Sequence, residues 1–410
     1  MMDKSKIRRM WSQDKITMSK KRLFIVFFIQ FFLLGTGSSI VGPLIPVLSN
    51  VFMVKLDIVG STLSLNAFGI LIATISTGII SERFGKRNIA VFGSILFVLS
   101  FLVLFFAENF LFFTIIYFIY GISWGAISVN ATSIISDCFA SSRSKSIIRL
   151  NLGFLLGQAF APLVVSGVLF FDLNWRYIFL FLAALNLVLT ILILLIKNEF
   201  LNKKGKGENF IVLLSHNRRF ISDPVIILCG IIALLHFGTG FSFNAWFTNY
   251  FESINIPVTS SSLILSLNFF MLSAGLIFKS YFVTRFGNKR MMLLSSITAF
   301  IFLLIAFIID NLILKIIFVS LFGFSFSAIA AIALSLAIKQ YTRYSGSITS
   351  IINSFAFLGV IIFQYTAGYL SQNHTSAGVF YTSLAALFLI SVLTIILVRI
   401  YNKARSKKEI

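Results

Sequence analysis

Charged side chains are scarce in this sequence, and their scarcity excludes a water-soluble domain. Asp, Glu, Lys and Arg make up 11% of the 410 residues, whereas soluble domains carry about 25%. The hydrophobic fraction is 58%, and the mean hydropathy is +0.97. These values indicate an integral membrane protein whose surroundings are the lipid bilayer.

Cysteines and histidines are also few, which excludes several kinds of site. The two cysteines, Cys138 and Cys229, lie in or beside apolar stretches and support neither a disulfide framework nor a metal cluster. The sequence contains no His-Glu-x-x-His, Ser-His-Asp or paired-carboxylate arrangement. We therefore expect no enzyme activity, no cofactor and no bound metal.

Acidic residues are scarcer than basic ones, with 13 Asp and Glu against 34 Lys and Arg and a net charge of +21. In a soluble protein this charge would favour a nucleic-acid partner, but here the basic residues occupy segments between apolar stretches. Lys and Arg gather in the loops of membrane proteins that stay in the cytoplasm. The charge therefore predicts membrane orientation, and we expect no nucleic-acid partner.

Apolar stretches long enough to cross a bilayer, which takes about 20 residues, number twelve in the sequence. We number them span 1 to span 12, and they lie at Leu23–Ser49, Asp57–Ile80, Asn88–Ala107, Phe110–Ser136, Ile147–Phe171, Tyr177–Ile196, Pro224–Phe251, Val258–Val283, Met291–Ile309, Leu312–Ile338, Gly346–Ser371 and Ala377–Ile400. The predicted fold class is an all-α membrane protein with twelve transmembrane helices.

Loop charge predicts how these spans are oriented. If the chain starts in the cytoplasm, all of the 34 Lys and Arg except Lys55, Arg176 and Lys315 fall on the cytoplasmic side. Both chain ends are then cytoplasmic, and we expect a monomeric multi-pass protein of the plasma membrane. The predicted organisation is a basic tail (1–22), a six-helix bundle (23–196), a cytoplasmic linker (197–223), a second six-helix bundle (224–400) and a short tail (401–410).

The connection between spans 2 and 3 is short, charged and bears glycine. It reads Gly78-Ile79-Ile80-Ser81-Glu82-Arg83-Phe84-Gly85-Lys86-Arg87. Gly85 can take a positive φ and so reverse the chain. The triplet Arg83-Phe84-Gly85 recurs as Arg285-Phe286-Gly287, followed by Lys289 and Arg290, at a spacing close to half of the 410 residues. The recurrence predicts two six-helix pseudo-repeats.

The first connection resembles the signature that the major facilitator superfamily carries between its second and third spans, Gly-x-x-x-Asp-Arg-x-Gly-Arg-Arg. Gly78, Arg83, Gly85, Lys86 and Arg87 match this signature, and Glu82 takes the place of the aspartate. Asn174-Trp175-Arg176, which opens span 6, is similar to the Trp-Arg-aromatic entry of many members. The resemblance implies a secondary transporter that works by alternating access, with the connection stabilising the state closed to the cytoplasm.

Within this superfamily the sequence leaves two branches open. Proton-driven drug exporters usually carry an arginine in their fourth span and a Gly-Pro pair in their fifth. Here span 4 has no arginine, and in span 5 Pro162 is not adjacent to Gly157. The segment around Trp246 is similar to the fucose and hexose permease branch. Gly240, however, stands where that branch often has a carboxylate, which places its proton coupling in doubt.

Titratable groups near the centre of a span are the first candidates for function, because charge is costly there. No Asp or Glu lies near the centre of a predicted span. His236, about halfway along span 7, could carry a coupling proton or contact the substrate, or it could be a neutral histidine that stabilises helix packing. Lys279 and Arg149 lie nearer the cytoplasmic ends, and we expect them to extend to the lipid headgroups, the alternative being a role in a cytoplasmic gate.

Uncharged polar and aromatic side chains at mid-span depth form the predicted substrate cavity. Together with His236, they are Gln30, Thr36, Tyr120, Trp124, Asn130, Gln158, Asn244, Trp246, Asn268, Ser325, Asn353 and Gln364. Each could instead form a hydrogen bond between helices. As a set without charge they favour a small neutral solute, such as a sugar or another metabolite, moved with or without a coupling proton or other ion. The alternative is an exporter of drugs or metabolites with the same fold.

Overall fold

The computed structural model describes residues 4–139, 142–195, 223–341 and 345–406, and within these ranges it contains helices and no strands. The helices are Lys4–Ser39 and Val41–Phe52 (span 1), Leu56–Phe84 (span 2), Lys86–Phe105 (span 3), Phe110–Cys138 (span 4), Arg143–Phe170 (span 5), Arg176–Leu195 (span 6), Pro224–Ser253 (span 7), Val258–Phe286 (span 8), Asn288–Ile308 (span 9), Leu312–Phe326 and Ile329–Gln340 (span 10), Ser345–Asn373 (span 11) and Gly378–Ser406 (span 12). Twelve spans among the described residues are long and apolar enough to cross a membrane, which confirms the predicted number.

The helices at the chain ends extend beyond the predicted spans. The first helix begins at Lys4, so it includes most of the predicted basic tail, and the last helix continues to Ser406. The predicted linker, 197–223, lies outside the described residues except for Asp223. Asp223 caps span 7, because its Oδ1 accepts a hydrogen bond from the Val225 amide at 2.8 Å. Pro224 follows in the first turn, where a missing N–H removes no helical hydrogen bond.

Consecutive spans run in opposite directions, so the bundle has two ends. We call the end that carries Gly85 and Gly287 the basic face, and the end that carries Asn109 and Asn311 the opposite face. On the opposite face the Asn109 side chain caps span 4 by accepting from Phe112 N at 2.8 Å, and Asn311 caps span 10 by accepting from Leu314 N at 3.1 Å. These caps satisfy amides that have no partner within the helix.

The same pairs of spans pack together in the first and second halves of the chain. Span 1 packs on span 5, span 2 on span 4, and span 3 on spans 4 and 6. The pairs six spans later do the same: span 7 on span 11, span 8 on span 10, and span 9 on spans 10 and 12. Between the two sets, span 2 packs on span 11, span 5 on span 8, and the second helix of span 1 on span 7.

The two basic connections share one backbone conformation. Gly85 has φ 89° and ψ 138°, and Gly287 has φ 80° and ψ 151°. Each glycine ends one helix by donating its N–H to the preceding turn, to Ser81 O and Val283 O respectively, both at 2.9 Å. The positive φ expected for Gly85 is therefore confirmed, and a residue with a Cβ would be strained at either position.

Replacing Gly85 by alanine is expected to lower stability by about 1–3 kcal/mol, because few residues other than glycine adopt its backbone angles. The measurement is thermal unfolding of the purified protein in detergent. Gly167→Ala is the matched control, since a Cβ at Gly167 would meet nothing within 4 Å. Equal unfolding temperatures for Gly85→Ala and Gly167→Ala would contradict the conclusion that the backbone at Gly85 requires glycine.

Candidate functional site

The predicted cavity residues of span 1 and two of those from span 4 lie inside the first six spans. Gln30 is fully buried and donates from Nε2 to Asn186 Oδ1 of span 6 at 2.7 Å. Thr36 and Asn130 are also fully buried and donate to carbonyls one turn earlier in their own helices. The Tyr120 ring is enclosed, with ring centroids of Phe97 and Phe101 at 5.3 and 4.7 Å. In this conformation these side chains contribute to helix packing.

Trp124 lies where spans from the two halves of the chain meet. Its partly buried ring makes edge contacts with Phe154 of span 5 and Phe357 of span 11, both at 5.8 Å between centroids. Its Nε1 is buried and has no hydrogen-bond partner among the described residues. Gln158, from span 5, is 8% exposed. Trp124 thus faces the second half.

Four predicted residues of the second half form two hydrogen-bonded pairs. Trp246 donates from Nε1 to Gln364 Oε1 at 3.2 Å, which joins spans 7 and 11, and Gln364 Nε2 donates to Phe241 O. Asn268 of span 8 donates from Nδ2 to Asn244 Oδ1 of span 7 at 3.0 Å. Asn353 of span 11 is partly buried. The pairs supply hydrogen bonds that the hydrocarbon could not, although Asn268 Oδ1 has no partner among the described residues.

His236 lies at the centre of the second half and stacks on an interrupted helix. Its ring is parallel to that of Phe326 of span 10, with centroids 4.0 Å apart and planes inclined by 20°. Phe326 ends the first helix of span 10, and Ser327 and Ala328 separate it from the next. His236 Nδ1 is buried without a hydrogen-bond partner among the described residues.

Lys279 was expected to reach the headgroups, and this expectation is wrong. Its side chain is 5% exposed and points into the bundle, where Nζ donates to the main-chain oxygen of Ser325, the residue before Phe326. Helical side chains tilt toward the N-terminus of their helix, which for span 8 is away from the basic face. Arg285 already places a cation at the end of this helix, and this could have indicated that Lys279 has a different role. Arg149 is exposed, as expected.

Hydrogen bonds between the two halves lie toward the opposite face. At that end the Leu56 amide donates to Gln372 Oε1 at 2.8 Å, and Ser166 Oγ donates to Thr259 O at 3.0 Å. Slightly deeper, Ser64 Oγ donates to Ile361 O at 2.8 Å and Thr248 Oγ1 donates to Gly42 O at 3.1 Å.

Glycines let the backbones approach closely in the same region. A Cβ at Gly60 would lie 2.9 Å from Gly368 Cα. The described structure is therefore closed at the opposite face.

Comparison with known sequences decides the family. The sequence profile described as Major Facilitator Superfamily matches residues 27–254 and 228–409. The chain belongs to the Major Facilitator Superfamily. A curated relative, the protein TsgA homolog of Buchnera aphidicola subsp. Baizongia pistaciae, is 25% identical over 362 residues, which cover 84% of this chain and 89% of the relative.

Solved structures of transporters share the fold of this superfamily member. The crystal structure of a D-xylose-proton symporter has a TM-score of 0.76 and 13% identity, and the match covers 91% of this chain and 96% of the symporter. The crystal structure of nucleoside transporter NupG has a TM-score of 0.73 and 14% identity, and the match covers 93% of this chain and 99% of that transporter. At this identity the likeness concerns the fold alone.

The superfamily signature in this chain links spans 3, 4 and 6 at the basic face. Lys86 forms an ion pair from Nζ to Asp137 Oδ2 of span 4 at 2.6 Å, and Arg87 donates from Nη2 to the main-chain oxygen of Leu194 at the end of span 6. Arg83 is exposed beside the Phe84 ring. Gly78 lies within the helix of span 2, whereas the Glu82 side chain lies outside the described part of the structure.

In the second connection, Arg285 lies beside the Phe286 ring in the same way, and Arg290 is exposed. Asn288, between Gly287 and Lys289, donates from Nδ2 to Ser335 Oγ of span 10 at 3.2 Å. Spans 8, 9 and 10 therefore meet at this connection much as spans 2, 3 and 4 meet at the first one. The sequence identified both connections but missed Asp137 and Ser335 as partners.

Asn186→Leu is expected to destabilise the protein by about 1–3 kcal/mol, because it leaves buried amide groups unpaired. Asn186 accepts from Gln30 and donates to Ser94 O at 3.0 Å. The double variant Gln30→Leu/Asn186→Leu should be more stable than the sum of the two single losses predicts. Thermal unfolding in detergent measures all three variants, and strictly additive losses would show that the pair contributes no coupling.

Proposed function

We propose that this protein is a secondary transporter that moves a small organic solute across the membrane by alternating access. The observation that carries the proposal is the closure at the opposite face by hydrogen bonds between the two halves of a Major Facilitator Superfamily chain. These few bonds can break and re-form as the halves rock. The solute would bind at mid-span depth between the halves, near Trp124 and His236.

The basic face is proposed to be cytoplasmic, in the plasma membrane. The distribution of Lys and Arg supports this orientation, since cytoplasmic loops carry the excess of basic residues. Each half of the chain is proposed to be one repeat, joined by the linker 197–223. The shared angles of Gly85 and Gly287, and the packing pairs that recur six spans later, support the repeat.

The connection between spans 2 and 3 is proposed to stabilise the state closed at the basic face. Lys86 and Arg87 fix its position on spans 4 and 6, so Arg83 is held at the rim of the first half. Arg83 would contact the second half when the basic face closes, and would lose that contact when it opens. His236 remains the candidate for a coupling proton, supported by its central position and its unpartnered Nδ1.

The sequence favoured a neutral, sugar-like solute because it showed no charged residue at mid-span depth. Lys279 weakens this argument for a neutral solute, because its ammonium group lies beside Ser325 at the interruption of span 10. Uptake of radiolabelled sugars, nucleosides and small organic acids into proteoliposomes preloaded with the same unlabelled solute tests the proposal. Saturable counterflow of at least one solute is expected. A channel-like flux without counterflow, or no flux for any class, would contradict it.

Gly60→Leu is expected to open the opposite face, because a side chain there meets the backbone of span 11 at 2.9 Å. Arg83→Ala should act in the reverse direction, since it removes a contact proposed for the state closed at the basic face. The measurement is labelling of Ser64→Cys, a buried position, with a membrane-impermeant maleimide added outside intact cells. The labelling rate should rise with Gly60→Leu and fall with Arg83→Ala.

The background for this labelling replaces the native thiols by Cys138→Ser and Cys229→Ala. Arg285→Ala is the matched control for Arg83→Ala, because Arg285 occupies the same place in the second Arg-Phe-Gly triplet. Unchanged labelling in Gly60→Leu would refute closure at Gly60. An effect of Arg285→Ala equal to that of Arg83→Ala would refute a specific role for the first connection.

A further inference from the structure

Lys279 is a buried cation inside the second half of the protein. It lies about two turns before the end of span 8 at Phe286. Its side chain is 5% exposed, and it extends from span 8 toward the middle of span 10. Enclosing an ammonium group in a low-dielectric interior costs several kcal/mol unless partners compensate for the lost water. Its partners therefore indicate what the group is for.

The polar partner of Lys279 among the described residues is one main-chain oxygen. Nζ donates to Ser325 O, and the Phe324 ring centroid lies 5.9 Å away. An ammonium group has three N–H donors, so Ser325 leaves two of them unused. The ion pair found among the described side chains joins Lys86 to Asp137 at the basic face, and no described carboxylate pairs with Lys279. The cation thus has a hydrogen bond but no counter-charge.

The interruption of span 10 brings a second unsatisfied group close to this cation. Ser325 and Phe326 are the last residues of the helix Leu312–Phe326. Lys279 binds the first of them, and the His236 ring stacks on the second at 4.0 Å. His236 Nδ1 is buried and has no partner among the described residues. Groups from spans 7, 8 and 10 therefore meet at the interruption of span 10.

We propose that Lys279 and His236 form a subsite for an anionic group of the transported solute, and that the solute is an organic carboxylate. A carboxylate would supply the counter-charge that Lys279 lacks and would accept its free N–H donors. Its other oxygen could accept from His236 when Nδ1 carries the proton. Trp124, with its own unpartnered Nε1, offers an aromatic surface on the facing half. This inference rests on the proposed transport function and names its substrate class.

The competing role for Lys279 is purely structural. A lysine at the C-terminal end of a helix can cap its last carbonyls and interact favourably with the helix dipole. In that case Lys279 would stabilise the first helix of span 10 without contacting a solute. The two roles differ in one observable: only the subsite makes the protein distinguish an acid from its uncharged amide.

The experiment measures the protection that paired acids and amides give to the purified protein against thermal unfolding in a non-ionic detergent. The pairs are 4-hydroxybenzoate with 4-hydroxybenzamide, gluconate with gluconamide, and lactate with lactamide. We expect at least one acid to bind at least about tenfold more tightly than its amide, as for a hydrogen bond to a charged group. Lys279→Gln should abolish this preference, whereas Lys279→Arg should retain it.

Lys315→Gln is the matched control, because Lys315 is a second buried lysine, 6% exposed, in the same bundle. It lies at the far end of span 10, where Nζ donates to the Tyr250 hydroxyl at 3.2 Å. This variant should keep the preference for the acid. Lower stability of Lys279→Gln with an unchanged acid-to-amide ratio would identify Lys279 as a cap alone and overturn the subsite.

Two further outcomes separate this inference from the transport function. Counterflow of neutral solutes with no preference for any acid would leave the transporter in place and overturn the anion subsite. Absence of counterflow for every solute, with acid protection that depends on Lys279, would support the subsite and overturn transport. Adding phosphatidylglycerol tests whether a lipid phosphate occupies the subsite. If this lipid removes the Lys279-dependent protection by the acids, the proposal that a transported solute binds there is overturned.

Discussion

Hydrocarbon offers no hydrogen-bond partners, so each polar group within the membrane must find its partner inside the protein. This constraint accounts for the helical fold and for the places where cations are found. The last carbonyls of a helix have no partner within the helix. Arg176 donates to Ala107 O just beyond the end of span 3, and Arg87 donates to Leu194 O at the end of span 6. Lys279 does the same for the first helix of span 10.

The difference between these cations lies in their depth. Arg176 also stacks against the Trp175 ring at 4.6 Å at the opposite face, and Arg87 lies at the basic face. Both side chains are partly exposed, so water can screen their charges. Lys279 donates to a carbonyl at an interruption in the middle of a span, so its charge is enclosed by protein. A neutral donor could cap the same carbonyl, so a charged donor at this depth favours an anionic partner.

Close helix packing explains which parts of the protein can move as units. Lipid provides little hydrophobic drive for helices to associate, so small residues and hydrogen bonds hold them together. Gly121 lies against Asn66 of span 2, and Gly157 lies against Phe32 of span 1. These two glycines therefore allow close packing within the first half. Between the halves the bonds are fewer and lie toward one end, an arrangement suited to rocking.

The sequence by itself determined the membrane class, the number of spans and the two basic connections. These follow from properties that a local stretch of chain expresses alone: length of an apolar run, the side on which Lys and Arg remain, and the backbone freedom of Gly85 and Gly287. The depth of Gln30, Tyr120 and Trp246 along their spans was likewise readable from position. All three are buried within the helix bundle.

Only the tertiary structure decided which way those side chains face and what they contact. Gln30 pairs with Asn186 from a span more than a hundred residues away, and Trp246 pairs with Gln364 of span 11. The interruption of span 10 gives Lys279 a partner, although the apolar sequence around Ser325 does not predict an interruption there. Depth is set by position along one helix, whereas orientation and partners depend on how all the helices pack.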